Sequence, residues 1–206
     1  MEGKYVVIEG HDGTGKSTQA SLLRDHLESA GHTAHVVEEP GGTDIGHELR
    51  KIIKNGELER DAETNLLMFT ASRRDLWQKV IEPALERGEW VIAARNYYST
   101  LAYQCHGEGL DEATVLETTA KFTSERYMQP DFSCILAVES LATARQRIGG
   151  RGKDSARDTF ESKDESFQDR VQAGYLKIAD ELQIPVVDAS QTIEKVHNDI
   201  TQFLRL

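Results

Sequence analysis

The stretch "VVIEGHDGTGKST", residues 6–18, constrains this chain more than any other. An apolar run of strand character leads into Gly10, His11, Asp12, Gly13, Thr14, Gly15, Lys16, Ser17 and Thr18, and a helical pattern follows. The spacing is G-x-x-x-x-G-K-[ST], set between a strand and a helix. Glycines let the backbone curl so that successive N–H groups point inward at phosphate oxygens. The following helix presents the positive end of its dipole to the same spot. Lys16 then reaches the β- and γ-phosphates of a nucleoside triphosphate, and the Ser17 hydroxyl ligates Mg²⁺. The bland reading is a glycine-rich turn before a helix, and the correct context on both sides argues against it.

The rest of the chain alternates in the way such a loop requires. Strand-length apolar runs stand at Tyr5–Ile8, Ala34–Val37, Trp90–Ala94, Ser133–Val138 and Pro185–Val187. Helical segments lie between them. Residues 16–31 carry Leu22, Leu23 and Leu27 on one face and end in Gly31. Residues 61–88 form a long stretch that should bend near Pro83. Further helices are expected over 111–126, 140–148, 164–182 and 192–204. Strands that are apolar throughout are buried on both faces. The pattern therefore predicts an α/β P-loop fold: a five-stranded parallel sheet, helices on both faces, and ligands at the carboxyl ends of the strands. At 206 residues the chain is read as one domain, 1–206.

Composition narrows the function. The formal net charge of −11 argues against nucleic-acid binding through a broad basic surface, though not against an anionic ligand held by local positive charge. No apolar run approaches a membrane span, and the N-terminus has no signal-peptide core, so a cytoplasmic protein is expected. Two cysteines, Cys105 and Cys134, fit a reducing compartment without disulfides.

A phosphate loop does not by itself separate kinases from other nucleotide-using proteins. The guanine-reading N-K-x-D signature is absent, which disfavours a GTPase. A small-molecule kinase needs arginines from several elements to hold its acceptor. Arg50 on the second helix, Arg73 on the third and Arg95 at the end of the third strand are candidates. It also needs a cationic flap over the transferring phosphoryl group. Residues 145–161 supply Arg145, Arg147, Arg151, Lys153 and Arg157, with Gly149, Gly150 and Gly152 for mobility. A merely solvated charged loop is the competing reading of that segment.

These residues together resemble the thymidylate kinase family, P-loop nucleoside monophosphate kinases that make dTDP from dTMP. "VIEGHDGTGKST", "EPGGT", "LMFTASR", "RNYYSTLAYQ", "PDFSCIL", "ARDTFE" and "VVDAS" fall in family order over essentially the whole chain. The resemblance implies dTMP and ATP as substrates, Mg²⁺ as the ion, and a homodimer. It implies that Phe69 stacks on thymine, that Arg73 contacts the base edge, and that Thr100, with Ser99 beside it, bonds the N3 side. Tyr103 is implied near the sugar 2′ position, and Gln104 closes the same motif among the substrate-binding residues. Asp12 is implied near the acceptor sugar and phosphate, with Glu9 supporting it or the metal shell. Arg95 grips the acceptor phosphate, and Pro40 and Gly41 shape the pocket wall. Backbone from Ala189 to Gln191 approaches adenine, and Arg145 or Arg147 stacks on it. Some members carry an arginine where Gly13 stands here. Members without it resemble the bacterial type, whose lid supplies transition-state cations, here Arg151 or Arg157. Asp158 and Glu161 are implied to help hold the closed lid or to contact the acceptor site.

The chain departs from the family pattern at Ala94, where an aspartate usually precedes the strand arginine. Glu38 replaces an arginine before "EPGGT", and Asn96 replaces an aromatic or histidine, a change for which Tyr97 is expected to compensate. These departures keep two alternatives open. One is another nucleoside or nucleotide kinase on the same scaffold, which an acceptor screen separates. The other is a weakened nucleotide-binding regulatory module, which would bind ATP and dTMP without releasing ADP.

Overall fold

The structure, a computed structural model, describes residues 3–141 and 159–205. Its frame is a five-stranded sheet of β1 (Lys4–Gly10), β2 (Ala34–Glu38), β3 (Trp90–Ala94), β4 (Phe132–Ala137) and β5 (Val186–Asp188). All pairings are parallel, in the order β2-β3-β1-β4-β5. β1 is central and pairs on both sides, so its apolar side chains alternate between two dry faces. Tyr5 and Val7 join one core cluster with Leu76, Trp77, Ile81 and Tyr127. Val6 and Ile8 join the other with Ala20, Leu23, Leu27 and Ile200. Each fully buried side chain of this kind contributes about 1.5–3 kcal/mol. The expected five-stranded parallel sheet with helices on both faces is the observed fold.

The helices start where the sequence offers caps. Thr43, the last residue of "EPGGT", accepts a hydrogen bond from Gly46 N at 2.9 Å and opens α2 (Asp44–Lys54). Asp61 accepts from Thr64 N at 2.8 Å and opens α3 (Ala62–Leu76). α1 (Lys16–Ser29) begins at Gly15, whose φ of 98° only glycine adopts without strain, and ends before Gly31. Its buried face is Ala20, Leu23 and Leu27; Leu22 lies at the margin, half-buried.

The long stretch after Asp61 does not simply bend at Pro83. It runs from α3 through a π-helical turn, Trp77–Ile81, into α4 (Glu82–Glu86), with Pro83 in the first turn of α4. The π turn shifts the hydrogen-bond register ahead of a residue that lacks an N–H. After β3 come α5 (Tyr97–Thr100) and a second π-helical segment, Leu101–Gly107. The helix expected over 111–126 is two, α6 (Glu112–Phe122) and α7 (Glu125–Met128), because Ser124 recaps the chain by accepting from Tyr127 N. α8 (Glu165–Glu181) and α9 (Ile193–Leu204) follow. The helix expected over 140–148 lies, beyond Leu141, outside the described residues.

The strand order places the carboxyl ends of β2, β3 and β1 side by side. The glycine-rich loop, the "EPGGT" loop and Arg95 therefore open onto one edge.

Candidate active site

The loop from Gly10 to Lys16 is shaped by close approach. Gly10 has φ 138°, and a Cβ there would collide with the Leu136 carbonyl of the neighbouring strand. Gly13 and Gly15 are also left-handed. Lys16 folds back, donating through Nζ to the His11 carbonyl at 2.9 Å, and Thr14 Oγ1 donates to the same carbonyl at 2.9 Å. Ser17 and Thr18 are exposed at the start of α1, whose first turn holds no acidic residue. The dipole end is thus undiminished by carboxylates of that turn.

Arg95 is the centre of the edge. Its backbone is left-handed (φ 83°), which swings the side chain back over β1. Nη2 meets Asp12 Oδ1 at 2.5 Å. Nη1 lies 2.8 Å from Ser99 Oγ, 2.9 Å from Tyr175 Oη and 3.2 Å from the Gly10 carbonyl. The guanidinium also sits over the Tyr103 ring, 5.4 Å from its centroid. Tyr103 Oη donates to Asp12 Oδ2 at 3.0 Å. Burial alone would raise the Asp12 pKa, but Arg95 and Lys16 outweigh it and hold the carboxyl well below the usual range.

Beneath Arg95 lies Glu9, fully buried. It accepts from Asn96 N at 2.8 Å, Ser99 N at 3.1 Å, Ser99 Oγ at 2.9 Å and Tyr175 Oη at 3.0 Å. Glu9 does not line the cleft; it fixes the start of α5 and the two hydroxyls that hold Arg95. Asn96 accepts from Tyr98 N at 2.9 Å and caps α5. Tyr97 does not stand in for the missing aromatic. Its hydroxyl turns away and donates to the Met128 carbonyl at 3.2 Å.

Arg73 forms a second buried centre and is only 2% exposed. Its Nε donates to Glu39 Oε2 at 2.9 Å and its Nη2 to Thr100 Oγ1 at 3.2 Å. Tyr127 donates to both Glu39 oxygens at 2.9 Å. Burial pushes the Glu39 carboxyl up, against the pull of Arg73. Among the described residues, Nη1 of Arg73 has no hydrogen-bond partner although it is buried. Such an orphan donor in a cleft wall is a place for a ligand acceptor.

One cleft joins these centres, lined by Asp12, Glu39, Pro40, Arg50, Ile53, Lys54, Phe69, Arg73, Arg95, Asn96, Ser99, Thr100, Tyr103, Gln104 and Phe160. Arg50 donates to the Pro40 carbonyl at 2.7 Å and pairs with Glu38 at 3.6 Å. Gly41 stands behind Pro40, its N–H on Ser72 Oγ at 3.3 Å. Phe69 and Arg73, one turn apart on α3, both face the cleft, as their spacing predicts. The Phe160 ring closes the cleft 6.0 Å from Phe69. Ala189 and Gln191 lie away from it beyond β5: Ala189 N donates to the Ala137 carbonyl and Gln191 bonds Asp188 and Asp199. Arg145, Arg147, Arg151, Arg157 and Asp158 lie outside the described residues, as does the lid segment up to residue 158. The reading of the sequence did not single out Glu39, Phe160 or Tyr127. The first two stood inside quoted motifs, "EPGGT" and "ARDTFE"; nothing local marks Tyr127.

A family model described as thymidylate kinase matches residues 8–200. The chain belongs to the thymidylate kinase family. It is 39% identical over 202 residues to a thymidylate kinase of Nitrosospira multiformis, covering 97% of this chain and 96% of that one. It is 38% identical over 207 residues to one of Pseudoalteromonas translucida, covering 100% and 97%. The crystal structure of thymidylate kinase from Ehrlichia chaffeensis superposes with a TM-score of 0.78 at 26% identity, covering 99% of this chain and 100% of that chain. The family assignment thus rests on near-complete coverage of both partners, and the fold on a solved relative.

Proposed function

We infer that the cleft at the carboxyl edge is the acceptor site and that residues 10–18 hold the donor. Family membership carries the reaction: the chain phosphorylates dTMP to dTDP, with ATP as phosphoryl donor. In our reading Phe69 stacks on the thymine ring. The orphan Nη1 of Arg73 donates to a carbonyl on the base edge, and Thr100 bonds the N3 side. Tyr103 crowds the 2′ position, and Gln104 lies at its side. Arg95 exchanges part of its contact with Asp12 for the acceptor phosphate. Pro40 and Gly41 form the wall that Arg50 braces. The observation that carries this is the meeting of an aromatic, three arginines from different elements and a carboxylate of the phosphate loop on one cleft.

An acceptor phosphate oxygen attacks the γ-phosphorus in line, and the protein contributes position and charge. Lys16 leaves the His11 carbonyl for the β- and γ-phosphates. Arg151 or Arg157 is assigned to the transferring group, and Arg145 or Arg147 to adenine, with backbone at Ala189 to Gln191 beside it.

The donor set fits Mg²⁺. Among the described residues no three His, Cys, Asp or Glu gather to hold a metal. The carboxylates of Glu9 and Asp12 are engaged by hydroxyls and by Arg95. What remains is the exposed Ser17 hydroxyl, suited to an ion that keeps its waters and takes phosphate oxygens. When bound beside Ser17, such an ion would neutralise charge on the donor phosphates.

We read the 206 residues as one unit, a cytoplasmic homodimer. Two free cysteines and the absence, among the described residues, of a helix able to cross a membrane support the first part. Leu67 on α3, 61% exposed, and Phe122 on α6, 38% exposed, support an apolar face for a second copy.

The test is an ADP-release assay with dTMP, dUMP, dCMP, dGMP and thymidine as acceptors. Turnover should be greatest with dTMP, and Lys16→Ala should remove most of it. ADP release independent of acceptor would refute the reading.

A further inference from the structure

Gln168 is 5% exposed on α8, and both ends of its amide are used. Its Nε2 donates to the Phe160 carbonyl at 2.7 Å. Its Oε1 lies 2.8 Å from His11 Nε2. The Phe160 carbonyl can only accept, so the NH₂ group must face it. Oε1 is then turned to the ring, and His11 must carry a proton on Nε2. The amide orientation and the Nε2 proton are fixed together, while Nδ1 of the same ring faces the Asp12 carbonyl at 3.2 Å.

Each end of this relay belongs to a different subsite. The His11 carbonyl, inside the phosphate loop, is where Lys16 and Thr14 dock. The Phe160 ring lines the acceptor cleft, 6.0 Å from Phe69 and edge-on to Tyr103 at 5.7 Å. When Lys16 moves from the His11 carbonyl to a triphosphate, the loop loses one of its internal ties. A shift of the His11 ring reaches Phe160 through a single planar carboxamide held at both ends. Close packing around a buried amide leaves little room to absorb that shift.

We propose that Gln168 is a positioning residue that couples occupancy of the donor loop to occupancy of the acceptor cleft through His11 and Phe160. The proposal rests on the assignment of those two sites given above. It concerns side-chain transmission and adds no chemical step.

Calorimetry on the full chain tests it. The affinity for dTMP is measured with and without a non-hydrolysable ATP analogue and Mg²⁺. The wild-type affinity should change by about 3- to 10-fold, the range of one buried hydrogen bond. The analogue's affinity should change by the same factor when dTMP is added. In Gln168→Leu the ratio should fall close to one, while each separate affinity moves less than the wild-type ratio itself. Gln168→Glu keeps an acceptor for His11 and loses the donor for Phe160. It should also decouple the sites, and it carries the test if the leucine variant folds poorly. A merely structural role would lower thermal stability and leave the ratio intact. An unchanged ratio in both variants, or a wild-type ratio of one with both ligands bound, overturns the proposal. A wild-type protein that binds neither ligand overturns the site assignment itself, and that is seen before any variant is made.

Discussion

Arg95 and Asp12, separated by 83 positions in sequence, meet at 2.5 Å through Nη2 and Oδ1. The phosphate loop and the arginine after β3 thus hold each other in place. On the reading proposed above, an incoming acceptor phosphate would replace a carboxylate already seated on the guanidinium and enter a site with its geometry set.

Arg95→Lys should lower kcat/KM for dTMP by about 100-fold or more, because a lysine cannot reproduce the fork that spans Asp12, Ser99 and Tyr175. KM for ATP should change little. Steady-state kinetics with each substrate varied in turn gives both values.

The depressed pKa of Asp12 predicts a pH signature. Burial opposes the shift and Arg95 and Lys16 cause it. A carboxylate with a lowered folded-state pKa stabilises the protein above its unfolded pKa, about 3.9. The contribution fades as pH falls below that value. Melting temperatures of wild type and Asp12→Asn should therefore differ by a constant amount between pH 6 and 8 and converge below about pH 4.

Tyr127→Phe tests the support of Arg73. Removing the hydroxyl leaves Glu39 with Arg73 as its remaining side-chain donor and should cost about 1–2 kcal/mol of stability. KM for dTMP should rise with kcat nearly intact. Glu39→Gln should destabilise by about 3–5 kcal/mol, since it leaves a buried guanidinium without its counter-charge. Denaturant melts rank the two variants.

Burial pushes the thiols of Cys105 and Cys134 up to about 12. At pH 8 the native protein should react with a thiol reagent far more slowly than a free cysteine does. Both equivalents should appear only in denaturant. Rapid labelling of both in buffer would contradict the buried setting of Cys134.

Selection of dTMP over dUMP should be real but modest, about 10- to 200-fold in kcat/KM, because a single methyl is worth roughly 1–3 kcal/mol in a fitted pocket. A direct competition assay measures the ratio.

The sheet was legible because β1, β3 and β4 are buried on both faces and read as unbroken apolar runs. Phe69 and Arg73 were singled out through the family resemblance, and helical spacing accounts only for their sharing one face. The π turns were not, since a shift from i+4 to i+5 bonding leaves no periodic mark in so few residues. Asn96, which replaces an aromatic or histidine of the family pattern, caps α5 and still lines the cleft. Glu9, expected to support Asp12 or the metal shell, is buried and braces Ser99 and Tyr175 beneath Arg95. Its partners come from α5 and α8, and no local pattern reports a contact between Glu9 and Tyr175. The relation of Tyr127 to Glu39 escaped for the same reason.

The left-handed backbone at Arg95 has a consequence for anyone who evolves this enzyme. A bulky residue at φ 83° costs of order 1–3 kcal/mol that glycine would not incur. Arg95→Gly would relieve that strain, yet it would strip Asp12 of its counter-charge and Ser99, Tyr175 and the Gly10 carbonyl of their shared donor, a larger loss than the strain recovered. A screen for heat resistance alone should therefore keep the arginine and leave the strained turn in place, because the contacts of its side chain outweigh the strain of its backbone.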